Sequence, residues 1–331
     1  MKIYKWTDIK GDFTDGLVLG NGASMAIHQG FGYGSLFEAA RENGHLTAPV
    51  AAVFDAFGVN DFELVLRRLW QAKVVNTTLS VPAGPVEEAY LQVRTALIAT
   101  VRDVHISHDD AFKHLKPIYT FLHTFKTVVS LNYDLLVYWA VMQSRGELGN
   151  WLKDCFGKGG AFADDWENMR RPYYASGATL VFYPHGNLVL ARDFDETERK
   201  ISAGGFQDLL GQILDEWESE KTVPLFVCDG TSEQKVKSIT GSSYLQRVYR
   251  EVLPVMGDSL VVYGWAMGEQ ETHILQKLKQ GNPQRIAVSV YQENEAYMRH
   301  VSDKFREAHL PDPVFFNSSS PECWCNPPAT E

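Results

Sequence analysis

The stretch "GLVLG" at residues 16–20 decides the fold, because a short apolar run closed by glycine is typical of a buried strand. Four similar runs, rich in β-branched residues, follow along the chain: "TVVSLN" (127–132), "VPLFVCD" (223–229), "DSLVVYG" (258–264) and "RIAVSVY" (285–291). Continuous apolar strands that alternate with helices indicate a parallel sheet covered on both faces. We therefore predict an α/β fold with a doubly wound, mostly parallel sheet.

The segment between residues 35 and 125 has a helical pattern and interrupts the run of strands. We therefore predict one Rossmann-like domain over residues 1–316, with a helical insertion at about 35–125. We predict two short strands joined by a "PHGN" turn within residues 179–192, because Pro and Gly separate two runs rich in β-forming residues. The Ser- and Pro-rich end, residues 317–331, reads as a C-terminal tail rather than a packed element.

The composition restricts the class of protein. The chain has 331 residues, of which 45% are hydrophobic, and a formal net charge of -10. Negative charge disfavours a general nucleic-acid surface, and the sequence shows neither an apolar run of membrane-spanning length nor a secretory signal. We therefore expect a cytoplasmic protein without direct nucleic-acid or membrane partners. Four cysteines without a CxxC pair favour free thiols over a zinc ribbon.

The glycines after the first strand suggest a phosphate-binding turn. In "GNGAS" at 20–24, Gly20 and Gly22 would let the backbone approach a pyrophosphate, and the Ser24 hydroxyl and nearby amides would donate to its oxygens. Met25 stands where a dinucleotide fingerprint has its third glycine, and no acidic residue ends a second strand about 20 residues later. The pattern disfavours a hydride-transferring enzyme. A tight strand-to-helix turn without a ligand is the alternative.

Three polar side chains stand at strand ends or turns. Asn132 ends a buried strand and offers one acceptor and two donors to the crevice at the carboxyl edge of the sheet. Asp134 follows where a helix cap belongs, and that cap is the alternative to a ligand contact. His185 lies in the "PHGN" turn, and its ordinary pKa near 6.5 suits a general base. An inert turn histidine is the alternative there.

Two later segments add candidate ligand contacts. "YGWAMGEQE" at 263–271 follows a strand, so Gly264 permits close approach of a ligand. Trp265 either stacks on a base or closes the sheet edge. "VCDGTSEQK" at 227–235 offers amide and hydroxyl donors to a phosphate, together with the charge of Lys235.

"HISHDDAFKH" at 105–114 is the one cluster with the spacing of a metal site. If the segment is helical, His105, His108, Asp109 and His114 approach one another. No second, distant set of ligands accompanies them. We therefore expect no metal, with Asp109 capping the next helix and the histidines facing solvent. A Ser/His/Asp triad is disfavoured as well, because the sequence has no GxSxG elbow.

Taken in order, these motifs resemble the sirtuin superfamily, and most closely the sirtuin-like NAD-cleaving proteins of bacterial antiphage defence, which lack the zinc ribbon. "GNGAS" is similar to the family's GAGxS phosphate loop, with Asn21 in place of the usual alanine. "LNYD" at 131–134 is similar to its Asn-x-Asp motif, and "HG" at 185–186 to its catalytic histidine. "YGWAMGEQE" looks like its late glycine motif, although Ala266 replaces the usual hydroxyl residue. The resemblance spans about residues 16–291.

The resemblance implies that Asn132 and His185 are catalytic. It also implies a cofactor-binding set in the glycine turn, the Asn-x-Asp motif and the late glycine motif: Gly20, Asn21, Gly22, Ala23, Ser24, Asp134, Gly264 and Trp265. The implied activity is an NAD glycohydrolase that releases nicotinamide and ADP-ribose, with NAD as substrate and no metal. Deacetylation is disfavoured, because the deacetylases of the superfamily use a zinc lobe that this chain has no cysteine pairs to build.

The same resemblance implies a triggered effector of antiphage defence by NAD depletion. Such an effector is expected to be a homo-oligomer or to form a hetero-complex with a sensor or regulatory subunit, and the helical insertion is our candidate for the interface. The alternative is a non-catalytic subunit that binds NAD or ADP-ribose and senses it for a partner. The loop "HQGFGYG" at 28–34 is expected to cover the nicotinamide half of the dinucleotide.

Overall fold

The computed structural model describes residues 1–32, 35–147, 149, 151–170, 177–201, 209–219, 221–227 and 229–328. The strands are β1 (Ile3–Tyr4), β2 (Gly16–Leu19), β3 (Thr127–Ser130), β4 (Leu152–Lys153), β5 (Thr179–Phe182), β6 (Gly186–Asp193), β7 (Glu198–Lys200), β8 (Thr222–Phe226), β9 (Ser259–Tyr263), β10 (Arg285–Val290) and β11 (Val314–Asn317). The α-helices are α1 (Trp6–Ile9), α2 (Asn21–Met25), α3 (Leu36–Glu42), α4 (Ala48–Phe57), α5 (Phe62–Thr78), α6 (Gly84–Val104), α7 (His108–Leu122), α8 (Leu136–Glu147), α9 (Leu209–Glu218), α10 (Ser232–Thr240), α11 (Ser243–Arg247), α12 (Thr272–Gln280) and α13 (Glu295–Glu307).

Eight strands form one parallel sheet in the order β1-β11-β10-β9-β2-β3-β5-β4. Strand β2 is central, and its Leu17 lies level with Val128 of β3 on one side and Val261 of β9 on the other. After β2, the chain first builds the half with β3, β4 and β5, and later the strands β9, β10 and β11 of the half that also contains β1. The topological switch therefore falls between β2 and β9. The predicted doubly wound, Rossmann-like α/β class is confirmed.

The central strands consist mostly of apolar residues, because helices flank the sheet. Every residue of β2, β3, β5 and β9 is buried, which is why these runs show no polar alternation. Helix α13 shows the complementary pattern, with Met298, Val301 and Phe305 buried at spacings of three and four residues. Among the described helices, none combines the length and the apolar character needed to cross a bilayer.

A second sheet contains three antiparallel strands in the order β7-β6-β8. The run at 223–229, which we predicted as a strand of the parallel sheet, supplies β8 instead, so that prediction is wrong. The apolar character of this run indicates that both faces of the strand are buried, but it does not show which sheet the strand joins. The two strands predicted within residues 179–192 are present, although β5 joins the parallel sheet and β6 the antiparallel one.

The helical segment contains α3 to α7. A buried ion cluster joins its helix α5 to the antiparallel sheet: Arg192 Nη1 lies 3.1 Å from Glu63 Oε1, and Arg192 Nη2 lies 2.8 Å from Glu198 Oε1. A buried guanidinium is costly unless carboxylates compensate its charge, so removing one partner would leave an uncompensated charge. The cluster therefore fixes where the helical segment meets the sheet.

The C-terminal segment differs from the expected tail. Strand β11 pairs with both β1 and β10. Beyond it, Cys323 and Trp324 are buried, and Trp324 Nε1 donates to the carbonyl of Ala23 at 2.8 Å. Ser and Pro are common in packed turns as well as in tails, and here the buried Trp324 anchors such turns to the domain. Residues 329–331 lie outside the described residues.

Candidate functional site

A cleft of about 1030 Å³ opens at the carboxyl ends of the parallel strands. Its lining comes from the segments that follow β2, β3, β5, β9, β10 and β11, and from the loop after β8. It spans the switch between β2 and β9, which is where doubly wound sheets bind their ligands. The site residues predicted from the sequence that line it are Asn21, Gly22, Asn132, Asp134, His185, Gly264 and Trp265.

The glycine turn packs against the loop that follows β9. Gly22 N donates to Gly264 O at 2.7 Å. A Cβ on Gly20 would lie 2.5 Å from Trp265 Cα, and one on Gly22 would lie 2.8 Å from Gly264 O. Gly264 has a φ of +66°, and a Cβ there would lie 2.3 Å from Ala23 N. Contact between two backbone turns explains these glycines, so their presence is not by itself a sign of a pyrophosphate.

Asn132 is held by the glycine turn. Its Nδ2 donates to Gly20 O at 3.0 Å and to Ser24 Oγ at 2.9 Å. The Ser24 hydroxyl, which we expected to donate to a phosphate, donates to Asp134 Oδ2 at 2.5 Å instead and is buried. No described residue donates to Asn132 Oδ1. The side chain is therefore fixed through its amide nitrogen, and its carbonyl oxygen is left for a ligand in the cleft.

Asp134 supports this arrangement from the start of α8. Its Oδ1 accepts the amide of Leu136 at 2.9 Å, as the helix-cap alternative predicts. Burial raises the pKa of Asp134, against the opposing effect of the nearby His105 imidazole. His105 is itself fixed, because its Nε2 accepts the Leu135 amide at 3.0 Å and its Nδ1 donates to the carbonyl of Ile106 at 2.8 Å. Asp134 thus positions the Ser24 hydroxyl and the helix start.

His185 belongs to a chain of hydrogen bonds. Ser232 Oγ accepts the backbone amide of His273 at 3.2 Å and lies 3.1 Å from His273 Nδ1. His273 Nε2 lies in turn 3.0 Å from His185 Nε2, so one of these two nitrogens donates a proton and the other accepts it. With its proton on Nδ1, His185 accepts through Nε2, and Nε2 is then the basic atom of the ring.

Both imidazoles of this pair are neutral at pH 7. Burial, followed by the nearby Lys235 ammonium, lowers the pKa of His185 well below its usual range and that of His273 to about 4. The expectation of a turn histidine with an ordinary pKa near 6.5 is therefore wrong. The sequence shows the turn, but it does not show that His185 is only 2% exposed.

Trp265 and the residues around it form another wall of the cleft. Its indole Nε1 donates to a carboxylate oxygen of Glu271, and its carbonyl accepts the hydroxyl of Tyr297 at 2.6 Å. The side chain is only 2% exposed. These contacts fix the indole at the loop after β9, so Trp265 presents a rigid apolar surface to the cleft.

The residues that line the cleft include more acidic than basic side chains. Lys235 is the sole cation among the described residues that line the cleft, whereas several carboxylates do so: Glu38, Asp134, Asp229 and Glu271. Such a lining attracts a cationic group, and it binds an anion only where a local donor offsets the carboxylates.

The histidine cluster after α6 is a structural element. His105 and His108 are buried rather than solvent-facing, and the His108 ring lies 5.3 Å from that of Trp139. Ser107 caps α7, and Asp109 lies within the first turn of that helix. Both expectations for this segment are therefore wrong, because the helix begins two residues earlier than a cap at Asp109 predicts, and the two histidine rings pack against Trp139. Within the described ranges, no group of three or more His, Cys, Asp or Glu side chains can hold a metal ion.

Two predictions fall partly outside the described residues. The cysteines Cys155, Cys323 and Cys325 are free, whereas Cys228 is not described. In the loop at 28–34, Tyr33 and Gly34 are not described, so its expected role over the ligand stays a prediction. The described part of this loop includes the buried Phe31.

The sequence did not single out His273, which belongs to the polar network around the cleft. It stands on α12 beside the buried Ile274 and Leu275, and nothing local distinguishes it from a core histidine.

No curated protein matches this chain. The sequence profile described as "Domain of unknown function (DUF4917)" matches residues 17–324, a span that contains β2, Asn132, His185 and the loop after β9. The chain therefore belongs to this family of unknown function.

Proposed function

We propose that this protein is an NAD glycohydrolase, which cleaves the bond between nicotinamide and ribose and releases nicotinamide and ADP-ribose. One observation carries the proposal: Asn132 and His185, from the ends of neighbouring strands, line a single cleft at the topological switch, beside the glycine turn. The volume of about 1030 Å³ is at the upper end of the range for small-molecule and cofactor sites. The sirtuin-like motifs support the same activity.

The chemistry suits an uncharged carboxamide and an acidic lining. Nicotinamide in oxidised NAD is already cationic and leaves as a neutral molecule, so no general acid is needed. The ribose becomes an oxocarbenium-like cation, which the enzyme has to stabilise more strongly than the ground state. Asn132 Oδ1 is free of internal donors and is a suitable oxygen to face that cation or the attacking water. The surplus of carboxylates adds electrostatic attraction for positive charge.

His185 acts as a hydrogen-bond acceptor for the attacking water or a ribose hydroxyl. Its Nε2 faces His273 in this structure, so the ligand's hydroxyl has to replace that contact. Catalytic hydrogen bonds often form only in the complex, which makes such an exchange compatible with the unliganded geometry. Because burial lowers the pKa of His185, the imidazole stays neutral at physiological pH and is a weak base. Its main contribution is therefore to orient the nucleophile.

The biological role follows the resemblance. Continuous hydrolysis of NAD would harm the host, so we infer a cytoplasmic effector of antiphage defence that is silent until triggered. Assembly as a homo-oligomer or with a regulatory subunit would supply the trigger.

Release of nicotinamide from NAD by the purified protein tests the proposal. We expect Asn132→Ala and His185→Ala to lower the rate at least about a hundredfold, and His309→Asn, at an exposed histidine, to leave it unchanged. Full turnover by both site variants would refute the assignment. Wild-type protein that NAD stabilises against heat without any release of nicotinamide would instead support the non-catalytic NAD- or ADP-ribose-binding sensor.

A further inference from the structure

Lys235 is a buried cation that has no hydrogen-bond acceptor among the described residues. It lies in the first turns of α10, its side chain lines the cleft, and the residue is only 4% exposed. Its ammonium donates to no described residue. The ion pair with Glu271 Oε1 spans 3.9 Å, and the other oxygen of that carboxylate is engaged by Trp265.

An ammonium in this situation is unfavourable unless something else binds it. A buried charge normally has both a close counter-ion and hydrogen bonds that satisfy its protons. The neighbouring imidazoles cannot serve as counter-ions, because His185 and His273 are neutral and are bonded to each other. Glu271 compensates part of the charge from 3.9 Å but accepts no hydrogen bond from the ammonium. A group in the cleft that brings anionic oxygens to Lys235 would satisfy all three of its donors.

The surroundings favour an anion with several oxygens. Gly230, which also lines the cleft, precedes α10, and the positive end of that helix dipole lies close to Lys235. A phosphate offers oxygens in several directions, so its charge-assisted hydrogen bonds to the Lys235 ammonium can outweigh the repulsion by the nearby carboxylates. In the segment "DGTSEQK" at 229–235, the Thr231 amide donates to Gln234 and the Ser232 hydroxyl bonds to His273, so Lys235 is the side chain of this segment that is left to bind the anion.

We propose that Lys235 forms an anion-binding subsite of the cleft that holds a phosphate group of the bound ligand. The phosphate belongs either to the diphosphate of a dinucleotide in the cleft or to a second phosphate-bearing ligand that binds beside it. The subsite rests on the burial and hydrogen bonding of Lys235 and does not require that NAD be hydrolysed.

Calorimetry with three probes tests the subsite: ADP-ribose, inorganic pyrophosphate, and nicotinamide riboside, which has no phosphate. Lys235→Met removes the charge with little change in volume, and Lys279→Met, at an exposed position on α12, is the matched control. We expect Lys235→Met to weaken binding of ADP-ribose or pyrophosphate at least about tenfold, because a charge-assisted hydrogen bond is lost. Nicotinamide riboside should bind both proteins equally.

The probes distinguish the two sources of phosphate. Weakened ADP-ribose binding, with pyrophosphate competing for the same site, assigns Lys235 to the diphosphate of the dinucleotide. Weakened pyrophosphate binding in the presence of saturating ADP-ribose assigns it to a second ligand. If the Met variant does not fold, Lys235→Gln and the salt dependence of wild-type binding replace it.

Unchanged binding of both anions in a folded variant overturns the subsite, and so does wild-type protein that binds neither of them. These outcomes are separate from the glycohydrolase test. Protein that binds ADP-ribose through Lys235 without releasing nicotinamide from NAD keeps the subsite and loses the proposed activity. If the protein turns over NAD and Lys235→Met binds both anions as well as the wild type does, the proposed activity is kept and the subsite is lost.

Discussion

Acid should destabilise this protein through the buried pair His185 and His273. Burial, followed by the Lys235 ammonium, lowers the pKa of His273 to about 4, against an ordinary value near 6.5 in the unfolded chain. Between these two values the unfolded chain binds a proton that the folded chain excludes. The stability contributed by neutral His273 is therefore complete above about pH 6.5 and is lost as the pH falls towards about 4. His185 acts in the same direction.

The size of the effect follows from the two pKa values. At pH 5 the imidazole is almost fully protonated in the unfolded chain, whereas with a pKa of about 4 it is about one-tenth protonated in the folded chain. The free energy of unfolding should then be lower than at pH 8 by about 2 kcal/mol on account of His273 alone. Other groups titrate over this range, so the effect has to be isolated with a variant.

Urea unfolding at pH 8 and pH 5 measures it. In His273→Asn, which cannot titrate, the loss of stability between the two pH values should be smaller than in the wild type by about 2 kcal/mol. The contribution of His185 persists, because His273 is the smallest of the three causes that lower its pKa. His309→Asn, at an exposed site, should follow the wild type. A His273→Asn variant that loses as much stability as the wild type would refute a neutral, buried pair.

Two further predictions concern contacts that hold the site in place, and urea unfolding checks both. Gly264→Ala, at a φ of +66° and with backbone 2.3 Å from the added Cβ, should cost about 3 kcal/mol or prevent folding, whereas Gly44→Ala, at a φ of +74° in open space, should cost about 1 kcal/mol. Equal costs would contradict close packing of the two turns. Trp324→Ala should cost about 3 to 5 kcal/mol, since it empties a buried site and leaves the carbonyl of Ala23 unpaired, and Trp324→Phe about 1 kcal/mol. Costs near zero would mean that this segment is not packed.

The local sequence was sufficient for the parallel strands at the centre of the sheet. Strands such as β2 and β9 are buried on both faces, so nearly every residue in them has to be apolar, and glycine follows each one. These features are local and are readable without a partner. The same reasoning placed Asn132 at a strand end, and parallel strands necessarily bring their ends to one edge of the sheet.

The remaining features depend on contacts between distant segments. His273 is 88 residues from His185 along the chain, and only their packing places two ring nitrogens 3.0 Å apart. The partner of β8, the burial of Trp324 and the lowered pKa of His185 are non-local in the same way. The sequence by itself therefore determined the class of fold and the edge of the sheet where the cleft lies, because the burial of each strand is reflected in the residues of that strand alone. The tertiary structure decided which side chains meet at that edge and how they ionise, because hydrogen bonding and desolvation depend on neighbours that no local pattern specifies.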